Sequence, residues 1–315
     1  MAATAYNTML ITKLSEMRDV EKANKQTFKV KAYDTVIKQI QAYTKPINSI
    51  DDVTNAGFKG IGKGIMGKIE QLFNTGVIKQ VEEKRALMEA VNILTTVHGI
   101  GPTKAKELVV DHNITTIEQL TERTDLLNEV QVKGLMYHAD MQKRIPRKEM
   151  DKHLAMLKSH IDTGSPFEIA GSYRRGASDS GDIDVIIRGE TGGADDIIKK
   201  LQSCKYIVEV LAHGETKFMG ICKLPRYKTF RRIDIMVADP VRYAFALLYF
   251  TGSKEYNVYV RNVALSKGYS LNEYGFTMAK LNKTAKAKDA CIPVHKTERE
   301  ILAFLGLEYI EPTKR

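Results

Sequence analysis

The stretch from Gly171 to Asp184, Gly-Ser-Tyr-Arg-Arg-Gly-Ala-Ser-Asp-Ser-Gly-Asp-Ile-Asp, constrains this chain more than any other. Ile183, Val185 and Ile187 alternate with Asp182 and Asp184. A period of two belongs to a strand, with both carboxylates on one face and the aliphatics on the other. Ile233, Ile235 and Val237 alternate likewise around Asp234, so a second strand can bring a third carboxylate to the same edge. Three like charges that close repel one another unless a cation sits among them. Where phosphates are substrates, a pair of magnesium ions is the usual answer, and the pattern reads as a two-metal phosphoryl-transfer centre.

The residues before the acids supply what such a centre also needs. Gly171 and Ser172 make a tight turn after Phe167-Glu-Ile-Ala170, letting backbone N–H groups and a hydroxyl approach a triphosphate. Arg174 and Arg175 offer forked donors to its oxygens, and Ser180 with Gly181 brings a second small-residue loop to the same place. Gly-Ser followed some ten residues later by Asp-x-Asp points to a nucleotidyltransferase palm. The competing reading is an acidic edge strand beside a solvated basic turn, and the Arg-Arg-Ile-Asp strand ending on Asp234 weighs against it.

The net charge of +10 directs attention to a polyanionic partner, because clustered Lys and Arg gain free energy by releasing counterions from nucleic acid. Charge alone does not choose between DNA, RNA and an anionic membrane. With 315 residues, 43% of them apolar, the chain can form two domains or one domain of several lobes. Cys204, Cys222 and Cys291 are far apart and lack zinc spacing, which reads as reduced, buried thiols of an intracellular protein. No apolar run approaches the roughly 20 residues of a spanning helix. The N-terminus lacks a basic segment followed by an apolar block, so secretion is not expected.

Residues 10–85 have helical periodicity throughout, with Leu10, Leu14 and Met17 and then Val30, Tyr33, Val36, Ile37 and Ile40 as apolar stripes and lysines opposite. Asp51-Asp52 is a cap candidate for a short helix before Gly57. An internal repeat follows: Phe58-Lys-Gly60-Ile-Gly62 is echoed about 40 residues on by Val97-His-Gly99-Ile-Gly101. Each precedes a Lys-containing helix whose free N–H groups and positive dipole end point outward, a geometry that suits one phosphate of a nucleic-acid backbone without reading sequence. This is the pattern of paired helix-hairpin-helix motifs. Ile145-Pro146-Arg147 reads as a boundary. After it come a helix over 148–160, the acidic strand, a helix near 196–201, and strands near 207–211, 214–222 and 232–237, an α+β arrangement. Asp239-Pro240 closes that lobe. Beyond it lie helices over 241–250, 255–267 and 298–305, the second carrying Asn257 and Arg261 one turn apart on one face.

These residues resemble family X DNA polymerases over essentially the whole chain. The resemblance is carried by Gly-Ile-Gly-Pro at 99–102, Lys-Arg-Ile-Pro-Arg at 143–147, Gly-Ser-Tyr-Arg-Arg-Gly at 171–176, Gly-Glu-Thr-Lys-Phe-Met-Gly at 214–220 and Tyr-Phe-Thr-Gly-Ser at 249–253. It implies an α+β chain with a helical lyase lobe over 1–85, a DNA-binding subdomain over 86–145, a catalytic palm over 146–239 and a nucleotide-selecting subdomain over 240–315. It implies template-dependent gap filling in base-excision repair, in a monomer located in the nucleus, or in the cytoplasm if the chain is viral. Partners implied are gapped or nicked DNA, deoxynucleoside triphosphates and other base-excision repair proteins, with no membrane.

The resemblance also assigns roles. Asp182 and Asp184 would bind both magnesium ions, for which manganese can substitute, and Asp234 would hold the catalytic one and accept the primer hydroxyl proton. Arg144, Ser172, Arg175, Ser180 and Gly181 would hold the triphosphate. Tyr249, Phe250 and Gly252 would line the sugar and exclude a 2′-hydroxyl, while Asn257 and Arg261 would face the nascent pair. Lys68 matches the family's Schiff-base lysine, and it stands at the margin of the stripe formed by Ile65, Ile69, Leu72 and Phe73, with Lys63 and Lys29 expected nearby. Gly60, Gly62, Gly99, Gly101, Lys29, Lys63 and Lys79 would contact DNA. The carbonyls of Ala56, Phe58 and Ile61, and of Thr95, Val97 and Ile100, would match monovalent-cation sites for sodium or potassium. Gly64 and Gln80 replace lysines usual in the 5′-phosphate pocket, and Lys254 replaces a commonly acidic residue. Two other readings compete: a template-independent nucleotidyltransferase, disfavoured by the short link between Cys222 and Arg232, and a DNA-binding repair scaffold, disfavoured by the complete carboxylate set.

Overall fold

The lysine-backed apolar stripes of the first third fold as expected, into helices packed around a single core. The computed structural model describes residues 2–161, 166–190, 194–279 and 295–315, and the chain divides into two compact units, Met1–Thr124 and Asp125–Arg315.

In the first unit α1 (Ala2–Ala23) packs on α2 (Thr27–Ala42), followed by α3 (Ile50–Ala56), α4 (Lys63–Thr75), α5 (Lys79–Leu94), α6 (Pro102–His112) and α7 (Ile117–Thr121). Leu10, Leu14 and Met17 meet Tyr33, Val36, Ile37 and Ile40, and Ile65, Ile69 and Leu72 of α4 close the same core. The cap of α3 differs from the sequence expectation. Ser49 is the N-cap, its hydroxyl accepting from the Asp52 N–H at 3.2 Å while the Asp52 carboxylate accepts from the Ser49 N–H at 3.0 Å. The acid serves from the third helical position because the shorter serine side chain reaches the free N–H groups from the cap itself.

The repeat in sequence is a repeat in backbone. Gly60 and Gly99 take φ of 90° and 86°, left-handed values that a side chain would strain. Gly62 (φ −88°, ψ 175°) and Gly101 (φ −86°, ψ 171°) then start α4 and α6 in the same extended conformation, neither with a side-chain cap. Pro102 at the first position of α6 loses no helix bond, since that N–H has no partner within a helix.

The second unit begins with α8 (Glu129–Met136), α9 (His138–Met141), β1 (Ile145–Pro146) and α10 (Arg147–His160). There follow β2 (Phe167–Ile169), α11 (Gly171–Arg174), β3 (Asp179–Ser180), β4 (Ile183–Arg188), α12 (Ala194–Ser203), β5 (Ile207–His213), β6 (Lys217–Cys222) and β7 (Arg231–Ala238). The sheet has the order β2-β4-β7-β6-β5, with β4 and β7 parallel and the other pairs antiparallel. One face packs Ile183, Val185, Ile187, Ile233, Ile235 and Val237 against Met150 and Leu157 of α10 and Ile198 and Leu201 of α12. The other face is covered too, because Ile186, Met236 and Ala238 pack on Ala246. The alternation read from the sequence therefore ends at Ile186, and only the leading edge of the sheet carries acids. The last segment holds α13 (Tyr243–Thr251), α14 (Lys254–Ser266), the β8 (Tyr269–Asn272) and β9 (Gly275–Met278) hairpin, and α15 (Glu298–Phe304), around Phe245, Leu248, Val260, Phe276, Ile301 and Leu302. Cys222 is buried and Cys204 half-buried rather than buried, both free thiols, and Cys291 lies outside the described residues. Among the described residues no helix is long and apolar enough to cross a membrane.

Candidate active site

Parallel pairing of β4 with β7 sets Asp184 directly beside Asp234. Asp182 is not on the strand, as the alternation had it. It lies one residue before β4, in the turn that leads from β3. That turn still folds it inward, and one ligand oxygen from each of Asp182, Asp184 and Asp234 lies within 4.8 Å of the others. Three half-buried carboxylates with hard oxygen donors at this separation fit a hard divalent cation better than a soft one. Their protonation behaviour shows the charge they have to spread. Burial first, then the charges of Asp182 and Asp234, push the Asp184 carboxyl well above its ordinary range, and burial raises Asp182 as well.

The protein supplies part of the counter-charge through a residue that sequence reasoning left unassigned. Arg232 donates from Nε to Asp234 Oδ1 at 3.0 Å and from Nη2 to Oδ2, and its Nη1 stands 4.0 Å from Asp182. Burial works against the Arg232 charge, but Asp234, Asp182 and Asp184 together hold its guanidinium above the usual range. Period two separates the paired arginines. Arg231, on the opposite face, is buried, with Nε and Nη2 on Glu149 of α10 at 2.8 and 3.0 Å and Nη1 on the Lys143 carbonyl. The signal was available: in Arg-Arg-Ile-Asp, only the arginine two residues before the acid shares its face.

Gly171 is needed for clearance. Its φ is +56°, and a Cβ there would lie 2.4 Å from Asp184 Oδ2. The turn it makes starts α11, where the Ser172 hydroxyl donates to that of Ser180 at 2.9 Å. Arg144 reaches Asp179 through Nε at 2.8 Å, and a Cβ on Gly181 would lie 3.1 Å from its Nη1. The charges of Arg144 and Arg175 act on Asp182 and Asp184 respectively. Arg175 donates to the Thr251 carbonyl at 2.6 Å and borders Gly252, whose φ is +68°. Arg174 is not free for a phosphate, contrary to the reading of both arginines as donors. Its guanidinium is occupied by Glu168, the Thr251 hydroxyl and both oxygens of Glu298. Tyr249 and Phe250 stand edge to face at 5.2 Å, and Asn257 donates to the Tyr249 carbonyl at 2.7 Å. Arg261 borders the same crevice as Tyr249 and Asn257, with Leu271 and Asn272.

In the first unit, Lys68 is half-buried and lines a cavity of about 380 Å³ with Glu21, Lys29, Tyr33, Gly60, Gly62, Gly64, Ile65 and Gln80. Lys29 is paired with buried Glu21 at 3.2 Å. Burial, and then the Glu21 charge, push the Tyr33 hydroxyl up to about 12, so it remains a proton donor in this wall. Lys63, expected beside Lys68, is exposed at the first position of α4 and is not part of the lining, although Gly62 and Gly64 on either side of it are. Lys79 opens α5 and approaches Glu83 at 3.7 Å. Ala56 ends α3 and Phe58 and Ile61 lie in the loop between α3 and α4, while Thr95, Val97 and Ile100 lie in the equivalent loop between α5 and α6, where the Val97 carbonyl accepts from the Ile100 N–H at 3.1 Å.

Known proteins share this architecture in the same order. Family models match for a helix-hairpin-helix domain at residues 5–78, the fingers domain of DNA polymerase lambda at 92–142, the DNA polymerase beta palm at 144–240 and the DNA polymerase beta thumb at 246–315. The chain is 26% identical over 329 aligned residues to rat DNA polymerase lambda, covering 99% of this chain and 57% of the relative. It is 28% identical over 306 residues to DNA polymerase lambda of Arabidopsis thaliana, covering 90% and 57%. To the DNA polymerase/3′-5′ exonuclease PolX of Bacillus subtilis it is 26% identical over 311 residues, covering 91% and 51%. The chain thus spans just over half the length of the curated relatives it matches. Four consecutive matches, laid over a site where two paired strands and the turn leading into one of them gather three acids, make the chain a member of the family X DNA polymerases that resembles DNA polymerase β.

Proposed function

We propose that the chain is a template-dependent DNA polymerase that fills short gaps, joined to a 5′-deoxyribose-phosphate lyase in its N-terminal unit, and that it works in base-excision repair. The observation that carries this reading is the convergence of Asp182, Asp184 and Asp234 on one point. On this reading residues 1–85 are the lyase lobe, 86–145 grip DNA, 146–239 form the palm and 240–315 select the nucleotide. Two magnesium ions, or manganese in their place, would be held by the three carboxylates and would supply Lewis acidity to the primer hydroxyl and the triphosphate. Asp234 takes the primer 3′-hydroxyl proton. Ser172, Ser180, Gly181, Arg144 and Arg175 hold the triphosphate, and Arg232 keeps one fixed positive charge at the acids throughout. Tyr249, Phe250 and Gly252 border the sugar and turn away a 2′-hydroxyl, and Asn257 with Arg261 meets the nascent pair from the minor-groove side.

The repeated glycine hairpins support backbone-directed DNA binding by Gly60, Gly62, Gly99 and Gly101, with Lys29, Lys63 and Lys79 adding charge. Sodium or potassium bound by the carbonyls of Ala56, Phe58, Ile61, Thr95, Val97 and Ile100 would complete those contacts. Lys68, with a cavity in front of it, is the amine that forms the Schiff base. The enzyme acts as a monomer, in the nucleus, beside other repair proteins. Extension of a labelled primer on gapped duplex, on recessed duplex and without template tests the reading. Addition directed by the template and favoured at a gap is expected; addition without template makes the chain a transferase, and tight DNA binding without addition makes it a scaffold.

A further inference from the structure

Lys217, the first residue of β6, has no part in the roles above. Its cross-strand neighbour on β7 is Met236, two residues beyond Asp234, and opposed residues share a face, so Lys217 stands on the face of the sheet that carries the acids. Its Nζ donates to Glu273 Oε1 at 2.7 Å, in the turn between β8 and β9. The same ammonium lies 5.2 Å from the centre of the Tyr274 ring and 6.0 Å from that of Phe250. The two side chains are unequally covered, Lys217 42% exposed and Glu273 16%. Burial opposes both charges, yet the pairing holds the Glu273 carboxyl below its usual range and the Lys217 amine above its own. Glu273 directly follows Asn272, which borders the crevice of Tyr249, Asn257 and Arg261. One ammonium therefore ties together the strand beside the catalytic one, the β8–β9 turn and the aromatic ring at the sugar edge.

We propose that Lys217 is a positioning residue for the incoming nucleotide: it pins the β8–β9 turn and the Phe250 ring to the sheet, and so fixes the wall against which the sugar is tested. This rests on the polymerase reading given above. A pair of this exposure contributes modestly to stability. Its leverage is geometric, because a wall that shifts slightly lets the nucleotide bind less tightly and discriminates less between sugars. A cation held over two rings also resists being drawn away by solvent better than an ion pair alone.

Single-nucleotide gap filling by the full chain tests this, comparing wild type, Lys217→Met, Glu273→Gln and the exchanged pair Lys217→Glu with Glu273→Lys. Both single variants are expected to raise KM for the deoxynucleotide about fivefold with kcat within about twofold, and to lower discrimination against the ribonucleotide by a similar factor. The exchanged pair should recover most of both. A merely structural role lowers the melting temperature or the active fraction without moving KM or sugar discrimination, and that outcome overturns the proposal. Altered single variants that the exchange does not rescue overturn it as well, since the ion pair is then not the agent. Wild type without any nucleotide addition removes the polymerase reading and this role together, whereas active wild type with unaltered variants removes only the role of Lys217.

Discussion

The carboxylate triad and the Lys68 cavity concentrate reactive groups by opposite means. In the triad, backbone register does the placing: Asp184 and Asp234 are neighbours on paired strands, Gly171 leaves room for one oxygen, and Arg232 balances charge from within the same strand. Around Lys68, four helices and a hairpin loop contribute the lining of a cavity of about 380 Å³, and the Glu21–Lys29 ion pair stands in its wall. The difference follows from the chemistry each is suited to. Charges held within a few ångströms repel strongly and tolerate little misplacement, and two of the three sit on hydrogen-bonded strands that fix their spacing. On the lyase reading proposed above, an amine that admits a sugar phosphate needs space and partial cover, which helices supply.

The comparison breaks most readily at the triad. Asp184→Ala or Asp234→Ala should lower nucleotide addition by on the order of 10³-fold or more, while affinity for gapped DNA stays within a few-fold, because on the proposed reading the hairpins hold DNA separately. Single-turnover extension and a binding titration read the two effects, and substantial synthesis by either variant removes the triad from the chemistry. Gly171→Ala adds one methyl group where a Cβ lies 2.4 Å from Asp184 Oδ2, and a displaced carboxylate should cost roughly 10²-fold in the same assay. An alanine variant with wild-type turnover would mean that the register is looser than the strands make it. On the other side, Lys68→Ala should reduce the borohydride-trapped adduct on an incised abasic substrate by about tenfold while primer extension persists. Undiminished trapping moves the nucleophile to another lysine, and a parallel loss of synthesis would erase the contrast between the sites.

The sequence made one site more legible than the other for the same reason. Strand periodicity and a Gly-Ser turn announce Asp184 and Asp234 from local pattern, and the Gly-Ile-Gly repeat announces hairpins with matching φ and ψ. What stayed hidden required tertiary partners. Arg174 and Arg175 are adjacent and look alike in sequence, but only the fold shows that Glu298 and Thr251 engage Arg174. Ile186 is two residues beyond Asp184 and so on its face of the strand, and only the fold shows that Ala246 of α13 packs on it. Lys63 is close to Lys68 along the chain but does not line the cavity, which Lys29 and Tyr33, distant in sequence, complete.

The smallest expected effect concerns the stability that the triad gives up for its charge. The folded state raises the Asp184 carboxyl well above its ordinary value, through burial and then the charges of Asp182 and Asp234. Between the unfolded carboxylate value, about 3.9, and the raised folded one, the native state keeps a proton that the unfolded chain releases. Stability of the metal-free protein therefore falls as pH rises through that window, and the loss is complete above it. Asp184→Asn removes the charge at nearly constant shape. With chelator present at neutral pH the variant should be more stable than wild type by about 1 kcal/mol, or roughly 2–4 °C in melting temperature, and the gap should close at acid pH. Added magnesium should narrow it from the other side, by stabilising wild type alone. Calorimetric melts of both proteins across pH, with chelator and with magnesium, measure this directly. If the Asn variant melts below wild type in chelator at neutral pH, Arg232, Arg144 and Arg175 already neutralise the acids, and the triad carries no unmet charge for a metal to relieve.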